Sequence, residues 1–352
     1  MDSNNTAPKR QWLKWFLSFL LLAAIVGGGI AYYLYQQVFG INLHLTENRV
    51  VTIPKSCTNL EQLATILERE SIVKDGNSFE FTAQQMSYKL KTGKYEIPKS
   101  TKDNYTLVGL LRGRQLAIKL TFHNFRKKEQ LAAYIGSKIE SDSSEIIDLL
   151  NDANFLAQWG YTPENIMSLF IPNTYEVYWN YTTQDFLDRM RKEHQKFWNE
   201  ERLSKAAALD LSPEEVYTLA SIVECESQYK PERPRIAGVY LNRLRKEGWK
   251  LEADPTVVFA VGDFSLKRVL NKHLEIDSPY NTYKYAGLPP GPIYMASINA
   301  IDAVLNAETH NYMFFCAKPH QEGQPQVHAF AVTLRAHLKN ARIYWSWLRK
   351  QS

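Results

Sequence analysis

The hydrophobic pattern changes character several times along the chain, and each change predicts an element. From residue 15 to residue 46 there is no Asp, Glu, Lys or Arg, and residues 16–35 alone are long enough to cross a hydrocarbon core as a helix. Lys9, Arg10 and Lys14 precede this run, and Tyr32, Tyr33 and Tyr35 close it. The charge placement predicts one transmembrane helix over residues 15–37, with residues 1–14 cytoplasmic and everything later exported. A cleaved signal peptide is the competing reading, but its apolar core would be shorter and followed by small residues, unlike Tyr-Tyr-Leu-Tyr. Past the anchor, Val50-Val51-Thr52-Ile53 begins a strand, and Leu60, Leu63, Ile66 and Leu67 recur at helical spacing. A second helix is expected over 81–90, and Thr92-Gly93-Lys94 turns the chain into Tyr95-Glu96-Ile97. Residues 48–103 thus form a small α+β module without clustered acids or nucleophiles, suited to binding rather than catalysis.

Residues 104–210 read as an intermediate α+β region: a strand at 116–122, helices at 127–139 and 144–150, an aromatic loop at 170–175, and a long charged helix at 183–209. Residues 211–352, rich in Gly, Pro, Tyr and Asn, open with the most informative segment. Ser212, Pro213 and Glu215 are N-cap, first-turn proline and capping-box partner of a helix expected over 212–230. Val216, Leu219, Val223 and Glu226 recur at spacings of three and four, so the Glu226 carboxyl shares the inward face. Desolvation raises the pKa of a carboxylic acid, and such a Glu donates protons near neutral pH. Glu226 therefore reads as a general acid. Glu224 is about 200° away around the helix, so only one of the two faces in unless the helix breaks. Cys225 is a nucleophile only with a base, and no His stands near it in sequence. The plain alternative for Glu226 is a helix-end acid paired with Arg233 or Arg235, and the helix alone does not choose.

Composition narrows the class. A net charge of +5 over 352 residues is modest and dispersed, which argues against a nucleic-acid partner and allows mild attraction to an anionic wall or membrane. Three cysteines permit at most one disulfide. The eight histidines form no HExxH and no ligand spacing, so neither metal nor cofactor is expected.

Downstream of the glutamate come Asn242-Arg243-Leu244, Asp254-Pro255-Thr256-Val257, Tyr280-Asn281-Thr282-Tyr283 and Gly287-Leu288-Pro289-Pro290-Gly291. Aromatic rings interleaved with amides and hydroxyls suit a sugar, although turn-making explains much of the proline and glycine. With Ala220-Ser221-Ile222-Val223-Glu224-Cys225-Glu226, these motifs in this order resemble the endolytic murein transglycosylases of the YceG-like group, over nearly the whole chain.

The resemblance implies a membrane-anchored lytic transglycosylase. Such an enzyme cuts between N-acetylmuramic acid and N-acetylglucosamine in nascent peptidoglycan strands, leaves 1,6-anhydro ends and ends strand elongation. It implies that Glu226 is the catalytic acid, that the module at 48–103 is LysM-like through Gly93-Lys94-Tyr95, and that residues 211–352 are the catalytic domain. Glycan strands are the expected partner, with penicillin-binding proteins as further partners at the inner membrane. Around the acid, Asn281 and Tyr283 are expected on the sugar, Ser221 and Asn242 behind the acid or its loop, and Asp254 at a turn. Glu224, Glu252 or Asp254 could supply a second carboxylate; Thr256, Tyr280 and His328 complete the motif set. The chain departs from the family in Asn173 for an Asp, in Glu252 for a common Gln, and in a longer loop at 318–326. Two rival readings remain: a hydrolytic muramidase, and a non-catalytic wall-binding scaffold.

Overall fold

The computed structural model describes residues 8–122, 125–266, 268–320 and 322–351, with side chains from residue 11 onward. Residues 1–7 of the expected cytoplasmic stretch lie outside them. The fold is mixed α+β. Helix α1 (Pro8–Phe39) is exposed from Gln11 to Gln36, and Gln11–Phe39, 29 residues, is long and apolar enough to cross a membrane. The chain divides into two compact units, one comprising the residues up to 118 with 178–180, the other 119–177 with everything from 181.

The first unit continues from α1 through β1 (Arg49–Ile53), α2 (Leu60–Arg69), α3 (Gly76–Gln85), β2 (Gly93–Ile97) and α4 (Asn104–Arg112). β1 and β2 pair antiparallel, with Val51 opposite Tyr95 and Ile53 opposite Gly93. Strand alternation sends Val51, Ile53, Tyr95 and Ile97 into a core with Leu63, Leu67, Phe79 and Leu107. The second helix starts earlier than its apolar residues predict, because Asp75 accepts from the amides of Asn77 and Ser78 and so fixes the cap. It stops where Ser87 turns left-handed at φ 49°. A buried amide ties the unit together: Asn42 donates to the Asp75 carbonyl (2.9 Å), Ser78 Oγ (3.1 Å) and Asn104 Oδ1 (2.8 Å). Asn104 and Thr82 in turn reach the Gln37 carbonyl at the end of α1, at 2.9 and 3.0 Å.

The strands β3 (Ala117–Thr121) and β4 (Thr174–Tyr178) pair with each other. Between them lie α5 (Lys128–Gly136), α6 (Ser143–Asn151) and α7 (Ala153–Ala157). The long charged helix expected at 183–209 is two helices, α8 (Thr183–Phe197) and α9 (Glu200–Ala208). Trp198 leaves helical geometry at ψ 65° to bury its ring, and Asn199 caps the next start by accepting from Arg202 N–H. Asparagine competes well for exposed amides, which an apolar-period count does not register.

At the centre of the second unit is α10 (Pro213–Glu226), packed by α11 (Arg233–Leu244), α12 (Asp254–Val261) and α14 (Ile298–Leu305), with the short α13 (Asn271–Leu274) between the latter two. Its Ser212–Glu215 capping box forms as expected. Every residue from Val216 to Val223 is buried, so the helix is enclosed on all sides rather than amphipathic. It ends at Glu226, short of the predicted residue 230, because Ser227 turns extended and its carbonyl accepts from Arg233 Nε (3.0 Å). Strands β5 (Phe314–Ala317) and β6 (His328–Ala331) pair antiparallel, and α15 (Leu334–Gln351) follows.

Removing the Asn42 amide leaves Ser78, Asn104 and a carbonyl short of a partner. Asn42→Ala should lower stability by about 2 kcal/mol, read as a shift of the urea unfolding midpoint of the full chain in detergent.

Candidate active site

Glu226 occupies the last turn of α10, where the negative end of the helix dipole disfavours an anion. It lines a cleft of about 400 Å³ together with Arg126, Glu224, Cys225, Gln228, Asp254, Phe264, Arg268 and Tyr294. Its Oε1 accepts from the Tyr240 hydroxyl at 2.5 Å. Tyr240 comes from α11, is wholly buried with its ring edge against Phe315, and stays a neutral donor because burial pushes its own pKa far up. Burial raises Glu226 to about 7 and nearby Asp254 adds to the rise, while the Tyr240 hydrogen bond, His328 and Arg243 oppose it. The result is a carboxylic acid that keeps its proton in about half of the molecules at neutrality, at the edge of a cleft.

Glu224 lines the same cleft and is nearly buried, and its partners distinguish it from Glu226. Its Oε2 accepts from Ser297 N–H (2.6 Å), and Arg233, also buried, pairs with its Oε1 at 3.3 Å. Arg233 further donates to Asn299 Oδ1 (3.0 Å). Arg235 pairs with Glu308. The salt-bridged alternative for Glu226 is therefore overturned: both arginines are taken by other acids. Burial pushes the Cys225 thiol to about 12, which does not suit a nucleophile. All three cysteines are free, and no metal-holding cluster of His, Cys, Asp and Glu occurs among the described residues.

The remaining sequence candidates fall into two groups. Asp254 lines the cleft at the start of α12 and accepts from the Tyr283 hydroxyl at 2.7 Å. His328 is held by Glu232, Nδ1 to Oε2 at 2.7 Å, and opposes the rise of Glu226. Others support loops. Ser221 accepts from Ile293 N–H (3.0 Å), and Asn242 donates to the carbonyls of His310 (2.8 Å) and Tyr312 (3.0 Å). Thr256 is buried against Thr282 Oγ1 (2.8 Å). The expected sugar contact of Asn281 is corrected: the residue is fully buried, and its amide donates to Leu274 and Ile276 carbonyls, both at 2.9 Å. Glu252 pairs with Arg243 at 3.4 Å and lies outside the cleft lining. Tyr280 packs on Phe259 in a neighbouring cavity. Asn173, in place of an acid, accepts from Thr174 N–H (2.8 Å), and its carbonyl ends the β3–β4 ladder at Phe122.

Two glycines are required by close approach: a Cβ at Gly238 would collide with the Glu308 carbonyl, and one at Gly291 with that of Glu164. The Gly287-Leu288-Pro289-Pro290 turn borders a different groove, beside Leu209 and Arg245. A larger groove of about 900 Å³ along α15 is lined by Arg335, Lys339, Arg342, Lys350 and Trp347 and has no acid to donate a proton. Sequence reasoning missed Tyr240, Arg126, Phe264 and Tyr294. Tyr240 stands two residues before the Asn242-Arg243-Leu244 motif, and the other three stand outside any motif.

The site thus sets one carboxyl of raised pKa, Glu226, beside Glu224 and Asp254 in a polar cleft of a mixed α+β fold. The model of the YceG-like family matches residues 51–343, and the chain belongs to that family. It is 29% identical over 313 residues to an endolytic murein transglycosylase of Bacillus subtilis (strain 168), covering 84% of each chain. It is 28% identical over 337 residues to one of Streptococcus pneumoniae (D39), covering 86% of this chain and 60% of that one. A yceG-like protein of Listeria monocytogenes, solved at 2.6 Å, superposes with a TM-score of 0.53 at 26% identity, covering 84% of this chain and 99% of that one.

The two glutamates should respond oppositely to substitution. Glu224→Ala strands a buried guanidinium and should destabilise by about 3 kcal/mol in denaturant unfolding. For Glu226, the folded-state value of about 7 lies above the ordinary 4.5, so folding binds the proton more tightly. Its contribution is full below about 4.5 and is lost as pH rises through about 7. Glu226→Gln should remove that fall, leaving the variant more stable than the wild type above about pH 7 in thermal melts.

Proposed function

We propose that this protein is a lytic transglycosylase of murein that cuts glycan strands internally, with Glu226 as its acid and base in turn. One observation carries the reading: a carboxyl raised to about 7 by burial, held through one oxygen by Tyr240, at the edge of a cleft. The relatives named endolytic murein transglycosylases supply the substrate class.

Tyr240 occupies Oε1, which leaves Oε2 to carry the exchangeable proton. That proton passes to the glycosidic oxygen as the bond from the muramoyl C1 breaks. The carboxylate then takes the proton of the C6 hydroxyl as O6 bonds to C1. Proton and acid are regenerated together, and no water enters the product. In this reading Asp254, which lines the cleft, raises Glu226 and is held by Tyr283, offsets the positive charge that develops on the ring.

The βααβ order of the first unit and its Gly93 turn support a LysM-like, glycan-binding role for residues 48–103. Lys9, Arg10 and Lys14 in the first turns of α1 and the tyrosines near its far end support an N-in, single-pass anchor with the cleft outside. An anchor of this kind keeps the cleft near strands as membrane-bound synthases extrude them.

Glu226→Gln should abolish products lighter by one water than hydrolysis fragments when purified strands are digested and weighed, while leaving the fold intact. Wild-type products that incorporate solvent oxygen would instead indicate a muramidase. The kcat/KM profile should fall on the alkaline side with a midpoint near the Glu226 value of about 7, since the acid must be protonated to donate.

A further inference from the structure

We propose that the Arg126 guanidinium is a subsite for a carboxylate on the muramoyl branch of the strand, so that the cleft reads the charged substituent beside the bond it cuts. The proposal rests on the transglycosylase reading above. Arg126 lines the cleft that holds Glu226. Its guanidinium lies 4.8 Å from the Phe264 ring centroid and 5.2 Å from that of Tyr294, and both rings line the same cleft. The backbone beside it is pinned, with Met295 N–H donating to the Phe125 carbonyl (3.0 Å) and Arg126 N–H to Gln130 Oε1 (3.1 Å).

Arg126 shares the lack of a carboxylate with Arg268 of the same cleft; what sets it apart is that two of the cleft's rings, Phe264 and Tyr294, hold its guanidinium. In the same unit Arg202 pairs with Asp302, Arg233 with Glu224, Arg235 with Glu308 and Arg243 with Glu252. Among the described residues no acid forms an ion pair with Arg126, and the nearby Glu224 is held by Arg233 and Ser297 N–H. Aromatic contacts hold the flat cation and leave its in-plane N–H groups, whose fork matches a carboxylate. A guanidinium held flat in a cleft with no acid paired to it is suited to an anionic ligand.

The substrate supplies one. Ring closure to a 1,6-anhydro end occurs on a muramoyl residue, and that sugar bears a lactyl group on its C3 oxygen. The branch ends in a carboxylate, either the lactyl group's own or, when the lactyl is extended as a stem peptide, those of the peptide. Arg126 also borders a second cavity of about 570 Å³ with Lys127, Lys128, Glu129 and Glu164, which gives a branch leaving the acid's cleft room to continue past groups of both charges.

The test compares strands that carry stem peptides with amidase-stripped strands that keep only the lactyl carboxylate, each also prepared with its carboxyls blocked as methyl amides. For wild type, blocking should raise KM about tenfold on at least one strand type, the loss expected for one charge-assisted hydrogen bond. In Arg126→Gln that charged-to-blocked ratio should collapse toward one, and Arg126→Lys should retain part of it. A ratio present on stripped strands assigns the lactyl carboxylate; one confined to peptide-bearing strands assigns the peptide. The proposal is overturned if Arg126→Gln keeps the wild-type ratio, whatever its absolute rate, or if wild type does not distinguish charged from blocked strands. Wild-type protein inert on all four substrates would contradict the catalytic reading and remove the subsite with it.

Discussion

A carboxyl group kept out of water yet touching a cleft is the demanding feature of this molecule. Water would return Glu226 to an ordinary, ionised glutamate, so the surroundings must be dense on every side but one. The density comes from α10, enclosed by α11, α12 and α14 and buried from Val216 to Val223. Tyr240 supplies a single neutral donor, enough to orient the carboxyl but not enough to overcome desolvation, and the acid stays raised. Around it, polar residues act as fasteners. Glu224 and Arg233 bind the start of α14 to the end of α10, Ser221 holds the 293 backbone, and Asn242 holds the 310–312 loop. These groups explain why a conspicuous polar motif set leaves so few side chains free to meet a sugar.

The first unit divides its labour differently. Its core is built by two short strands and three helices around a buried asparagine, and that asparagine's network also grips the end of α1. A helix long and apolar enough for a membrane thus passes into the module through hydrogen bonds rather than through a loose linker. Membership of the YceG-like family spans both units, since the matched residues run from 51 to 343.

Much of this was legible in the sequence where chemistry is local. The capping box of α10, the βααβ order of the module and the long apolar first helix follow from spacing and composition, and each element is present. Helix ends were less legible: Asp75 starts α3 early, Asn199 splits the charged helix, and Ser227 stops α10 at the acid itself. Each is a side-chain or backbone competition that periodicity averages away. The inward-face argument selected Glu226, yet the enclosed helix buries both of its faces, and only the partners distinguish Glu226 from Glu224. Asn281 looked like a sugar ligand because an amide among tyrosines is ambiguous; two carbonyls close in space but not in pattern claim it. Arg126 gave no signal at all, because its significance lies in two rings distant in sequence and in the ion pair it lacks.

The central claim is that the Glu226 carboxyl holds its proton near neutrality. Carbon-13 NMR of protein labelled at glutamate side-chain carboxyls, with Glu226→Gln identifying the resonance, measures this without reference to turnover. The account predicts that this signal titrates with a midpoint near 7. A midpoint at the ordinary 4.5 would mean that the group is hydrated and ionised at working pH, and the account of the site would be wrong.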